Sequence, residues 1–190
     1  MFIDYVTLLL VNMAAGFFLL GFFLLKGQTG TDPRSWAAAF AVVALIALVA
    51  GFHMSLTWPL PGVFNFVFGE LSVLFGAIYA GIALSLAAKW RLLPMSVFVV
   101  MASGTAIVMG CGVTTMNLTA APLLSGIGFI LSGIAGLLTA WAFLSSGRPM
   151  ARVLGATALF LSAALWSFTG YAGYWGHLGR FQEYRPATMS

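Results

Sequence analysis

Glu70 and His53 are the side chains with the strongest claim to chemistry in this sequence, because each lies inside a long apolar run. An ionisable group held among lipid or packed helices is costly, and it marks a functional site by default. His53 stands one turn before the end of one run, and Glu70 about one turn into the next. The link between them, Trp58-Pro59-Leu60-Pro61-Gly62, is short. Both residues therefore fall at a similar depth, roughly 6 Å below one surface at about 1.5 Å of rise per residue. Cys111 lies at a comparable distance from the end of a later run. Met54, Met109 and Met116 are near the same level, with Asn65 and Asn117 just above. His177 follows the last run on that side, and Asn12 lies deeper in the first. Imidazole, carboxylate and soft sulfur together suit copper or zinc, and thioether or thiolate favours copper(I).

Plainer readings compete with each assignment. Glu70 is equally a neutral acid bonded to a neighbouring helix, or a structural partner of His53. His177 follows the aromatic, Gly-rich stretch Tyr171-Ala172-Gly173-Tyr174-Trp175-Gly176 and reads more naturally as an interfacial residue. Methionine and cysteine in apolar runs mostly pack. Asn12 reads as a bridge between helices. Haem held by the two histidines needs them on facing helices at matched depth. His177 is too superficial for that, so copper stands first, zinc or iron next and haem last.

The elements that carry these residues follow from composition. Hydrophobic residues make up 62% of the chain and charged residues 6%, with mean hydropathy +1.05. A soluble domain is roughly half apolar and about a quarter charged. So few charges cannot cover a water-facing surface, which excludes a soluble enzyme, a disordered chain and a nucleic-acid binder. The eight Lys/Arg against four Asp/Glu are scattered and form no basic patch for nucleic acid. One cysteine excludes an internal disulfide and any paired-cysteine motif. The first residues, MFIDYVTLLL, place Asp4 where a signal peptide carries positive charge, so the first apolar segment is expected to stay in the protein.

A bilayer core roughly 30 Å thick needs about 20 apolar residues as a helix. Six stretches qualify: Asp4–Leu25, Trp36–Thr57, Phe66–Ala88, Met95–Met116, Leu123–Leu144 and Val153–Tyr174. The expected fold is an all-α, polytopic bundle of six transmembrane helices over residues 1–176, with a short external tail over 177–190. Lys26 and Arg34, Lys89 and Arg91, and Arg148 and Arg152 fall in the first, third and fifth links. The positive-inside rule makes that side cytoplasmic and puts both termini outside. Small residues recur every fourth position in span four (Ala102, Ala106, Gly110, Thr114) and span five (Gly128, Ser132, Gly136, Ala140). Such stripes let helices approach closely, within one chain or between copies.

The segment His53–Glu70, HMSLTWPLPGVFNFVFGE, resembles a membrane family known as domain of unknown function 981. The pattern is a histidine near a span end, a Trp-Pro turn, then asparagine followed by Phe-Gly-Glu. Here these are His53, Trp58-Pro59, Asn65 and Phe68-Gly69-Glu70. The resemblance implies a bacterial or archaeal cell-membrane protein and supplies no activity. In length, span number and the inner link TDPRSW, the chain is also similar to the amide–urea channel family. It departs from those proteins in lacking an acidic residue in span six.

Three functions fit these features. The first is a metal protein holding copper near His53 and Glu70, alone or as an accessory subunit of a membrane redox complex. The second is a channel or carrier for a small polar solute, with Asn12, Asn65 and Asn117 as lining or structural polar groups. The third is a purely structural subunit. A homo-oligomer or a larger membrane complex is expected in each case. No nucleophile motif, phosphate-binding loop or carboxylate pair points to an enzyme.

Overall fold

The structure, a computed structural model, describes residues 4–27, 32–145 and 148–181. Helix α1 (Tyr5–Phe22) runs into a π-helical turn (Phe23–Gly27). Then come α2 (Arg34–Thr57), a second π-helical segment (Asn65–Glu70) leading into α3 (Leu71–Ala87), α4 (Met95–Thr115), α5 (Pro122–Leu144) and α6 (Pro149–Phe181). These form six helices long and apolar enough to cross a membrane, and no strand occurs among the described residues.

Local chemistry sets the ends. The Asp4 carboxylate accepts from the Thr7 backbone N–H at the start of α1, as an N-cap does. Pro122 opens α5, where its missing N–H is harmless. Helices α2, α3 and α4 each end on a left-handed residue: Trp58, Lys89 and Asn117. Asparagine tolerates that conformation, so Asn117 is accounted for as a helix stop. Helix α6 runs past the expected end at Tyr174 to Phe181. Gly173 packs close to Thr7, and His177 is tied to Asp4, so contacts with α1 carry the helix through its glycines. Residues 182–190 lie outside the described residues.

The helices form a ring. Each packs on its chain neighbours, and α6 closes on α1. The tightest pairs are α4–α5, α2–α3, α1–α6 and α5–α6, while α3 and α4 meet sparsely. The small-residue stripes act inside the chain. A Cβ on Gly110 would stand 2.7 Å from the Gly126 carbonyl oxygen, so α4 and α5 touch backbone to backbone. Gly136 faces the Ser103 hydroxyl on α4, whereas Gly128 faces the Trp166 ring on α6. Trp166 is fully buried and donates its indole N–H to Ser132 at 2.8 Å.

Candidate functional site

The ring of helices leaves a crevice of about 80 Å³ at its centre, walled chiefly by Met13, Phe17, Phe75, Val99, Ala102 and Phe129. Its α3–α4 wall is the open seam of the bundle, where Leu71, Leu74, Ile78 and Ala106 are only half-buried. Four hydroxyl-bearing residues also line it: Ser103, Ser132, Thr139 and Tyr79. Three are satisfied locally. Ser103 donates to the Val99 carbonyl at 2.6 Å, Ser132 to Gly128 at 2.7 Å and Thr139 to Ala135 at 2.8 Å. Tyr79 is fully buried, and its hydroxyl has no hydrogen-bond partner among the described residues. A buried hydroxyl left in this state costs about 1–3 kcal/mol. Such a group is where a bound solute or an ordered water gains most.

Two vestibules open at the ends of the bundle. One, about 540 Å³, lies at the histidine-bearing end and is lined by Asp4, Thr7, Phe68, Ser125, Trp166, His177 and Arg180 among others. A small void bounded by Leu10, Asn12, Met13, Phe68 and Phe129 lies between it and the crevice. The other, about 660 Å³, lies at the basic end, against Ser85, Lys89, Arg91 and Arg152. Aromatic rings close both approaches. Phe68, Phe129 and Trp166 make tilted or edge contacts in series towards the histidine end, with centroids 5.3 Å and 5.2 Å apart. Phe23, Phe40 and Tyr79 do the same towards the basic end, at 5.6 Å and 5.7 Å.

The residues singled out from the sequence are dispersed around this frame. His53 is exposed, and its Nδ1 lies 2.9 Å from the Tyr5 hydroxyl and 3.2 Å from the Thr57 hydroxyl. Its ring stacks on Tyr5, with centroids 5.3 Å apart. Met54, the next residue and about 100° further round the helix, is fully buried on the face of α2 that meets Gly69. Glu70 is exposed at the end of its π-helical segment, and its carboxylate forms no hydrogen bond or ion pair among the described residues. The histidine's polar contacts are thus to Tyr5 and Thr57, not to Glu70. Cys111 is exposed on α4, Met109 is half-buried and Met116 exposed. No group of three or more His, Cys, Asp or Glu stands together among the described residues.

Two of the asparagines have structural work. Asn12 is buried and donates to the Val43 carbonyl at 3.0 Å, bridging α1 to α2. Asn65 is fully buried, accepts from the Leu60 N–H at 3.0 Å and donates to the Leu60 carbonyl, which pins the Pro-rich turn. His177 Nδ1 lies 2.5 Å from an Asp4 carboxylate oxygen and 3.5 Å from the Thr7 hydroxyl. That pair joins the end of α6 to the start of α1.

The residue missed from the sequence is Tyr79. A signal was present: Tyr5, Tyr171 and Tyr174 lie near the ends of the spans expected from the sequence, where tyrosine belongs, while Tyr79 sits mid-span. Asp4 was missed as the partner of His177, because the two are far apart in sequence.

The fold defines a membrane-type, all-helical protein built as a ring of six spans around an apolar crevice. Over residues 1–180 the sequence matches the family described as "Protein of unknown function (DUF981)", and the chain belongs to that family. No curated protein and no solved structure matches it.

Proposed function

We propose that this protein is a carrier for a small uncharged solute, held midway through the bundle by a hydrogen bond from Tyr79. The observation that carries this reading is that Tyr79, a residue of the wall of the crevice between two vestibules, has a buried hydroxyl with no hydrogen-bond partner among the described residues. Among the described residues, no ionisable group other than Tyr79 lines the crevice, so a charged solute would lose its hydration without compensation. The neighbouring hydroxyls are already engaged with their own helices. A solute with a single accepting group therefore suits the crevice better than one with many polar groups. The aromatic series at each end favour a carrier that opens in steps over a permanently open pore. Stopped-flow light scattering on proteoliposomes tests this. Acetamide is expected to equilibrate faster than in protein-free liposomes, with a larger gain than for glycerol, whose three hydroxyls would find one partner. Equal rates with and without protein for both solutes count against the reading.

A second reading, copper at the histidine-bearing end, is favoured by the Asp4–His177 pair. A carboxylate on one imidazole nitrogen is how metal-ligating histidines are often oriented. Metal content of identically purified wild type, His177→Ala and His53→Ala separates the cases. Stoichiometric copper lost in His177→Ala supports the metal, and equal content in all three removes it.

A further inference from the structure

The vestibule at the basic end has features that a solute path does not require. Lys89, Arg91 and Arg152 line it from three positions, against one carboxylate, Asp32. Asp32 is already engaged at the start of α2, where it accepts from the Arg34 N–H at 3.1 Å. Arg152 is half-buried, and none of the three cations forms an ion pair among the described residues. A partly buried guanidinium without a counter-charge is unfavourable, and its planar fork matches the oxygens of phosphate.

Two further observations point the same way. Ser85 is nine-tenths buried, faces the vestibule, and its hydroxyl forms no hydrogen bond among the described residues. It supplies a neutral donor in the wall that the three cations also line. Lys89 ends α3 with φ +58°, closed by the Trp90 N–H bonding back to the Ser85 carbonyl at 2.7 Å. Glycine is the usual occupant of that position, because a side chain there is strained. A lysine standing there in place of glycine fits a role for the charge. Helices α2, α4 and α6 also begin at this end, so their dipoles add positive potential. Trp90 and Leu93 are exposed beside the opening, as suits a rim at headgroup depth.

We propose that this vestibule is a binding site for a phosphate-bearing anion, with Lys89, Arg91 and Arg152 as its cations and Ser85 as a neutral donor. The shared chemistry is the phosphate oxygen set, and its source is either the headgroup of an acidic lipid or free phosphate. The proposal is independent of the carrier reading.

The test uses the full chain. Melting temperature is measured in phosphatidylcholine nanodiscs, in nanodiscs containing phosphatidylglycerol, and in detergent with added inorganic phosphate against chloride at equal ionic strength. A rise with phosphatidylglycerol alone assigns a lipid headgroup. A rise with inorganic phosphate assigns free phosphate. Arg152→Gln is expected to weaken the apparent affinity about fivefold, in keeping with one cation near a membrane surface. The combined Lys89→Gln, Arg91→Gln and Arg152→Gln variant is expected to weaken it more than tenfold. Lys89→Gly guards against misfolding: it should melt higher than wild type in phosphatidylcholine, because the backbone strain is relieved, yet bind the anion less. No rise in any condition, or an undiminished rise in the triple variant, overturns the proposal.

Discussion

Replacing Tyr79 with phenylalanine is expected to make the solute-free protein more stable and solute flux slower. The two effects have opposite signs because the hydroxyl is a liability in the empty bundle and a handle in the loaded one. Removing a buried, unpartnered hydroxyl relieves up to about 1–3 kcal/mol, while one neutral hydrogen bond to solute contributes about 0.5–1.5 kcal/mol net. Acetamide flux should therefore fall roughly two- to tenfold as the melting temperature rises. The ring stays, so its contacts with Phe75 and Phe40, 4.2 Å and 5.7 Å between centroids, are kept. Lower stability with unchanged flux would mean that Tyr79 serves packing alone.

The second large effect is expected at the α4–α5 contact. Gly110→Leu places a side chain where a Cβ already stands 2.7 Å from the Gly126 carbonyl oxygen and 3.0 Å from the Ile130 backbone nitrogen. Backbone atoms cannot turn aside as a side chain can, so the helices must separate. Overpacking of this kind costs about 1–3 kcal/mol and sometimes more. In lipid there is little hydrophobic drive to restore the contact, because close packing itself holds such helices together. A clear loss of melting temperature is expected, read by thermal unfolding in detergent. Gly112→Leu is the matched control, since a Cβ on Gly112 meets nothing within 4 Å. Equal melting of the two variants would contradict the observed pairing of α4 with α5.

Much of the fold was legible because lipid imposes a simple rule of length and apolarity, and all six spans follow it. Position along each span follows from the same rule: His53, Glu70 and Cys111 each lie about one turn from the end of a helical segment. Facing direction was not. His53 and Met54 are adjacent, yet one is exposed beside Tyr5 and the other buried against Gly69. Glu70 closes a π-helical segment, Asn65–Glu70, whose wider turn shifts the phase of every residue after it. No hydropathy pattern records that shift. Of the two roles the sequence leaves open for Asn12, lining or structural, the structure shows a bond to the Val43 carbonyl, as a buried amide inside an apolar run must find a partner. His177 was read as an interfacial residue, and its pairing with Asp4 depends on the closure of α6 onto α1. Tyr79 escaped notice because tyrosine adds to a hydrophobic count, so its mid-span position looked like one more apolar residue.

The central claim is that solute passes through the crevice at the middle of the bundle, and blocking that crevice tests it most directly. Ala106 lines the crevice from α4 at the half-buried seam with α3, so a phenylalanine there fills space without forcing backbones apart. The measurement is acetamide flux into proteoliposomes carrying equal amounts of wild type or Ala106→Phe, both checked for wild-type melting. The account predicts flux well above the protein-free rate for wild type and a fall to the protein-free rate for Ala106→Phe. Wild-type flux no faster than protein-free liposomes, or undiminished flux in Ala106→Phe, would contradict it.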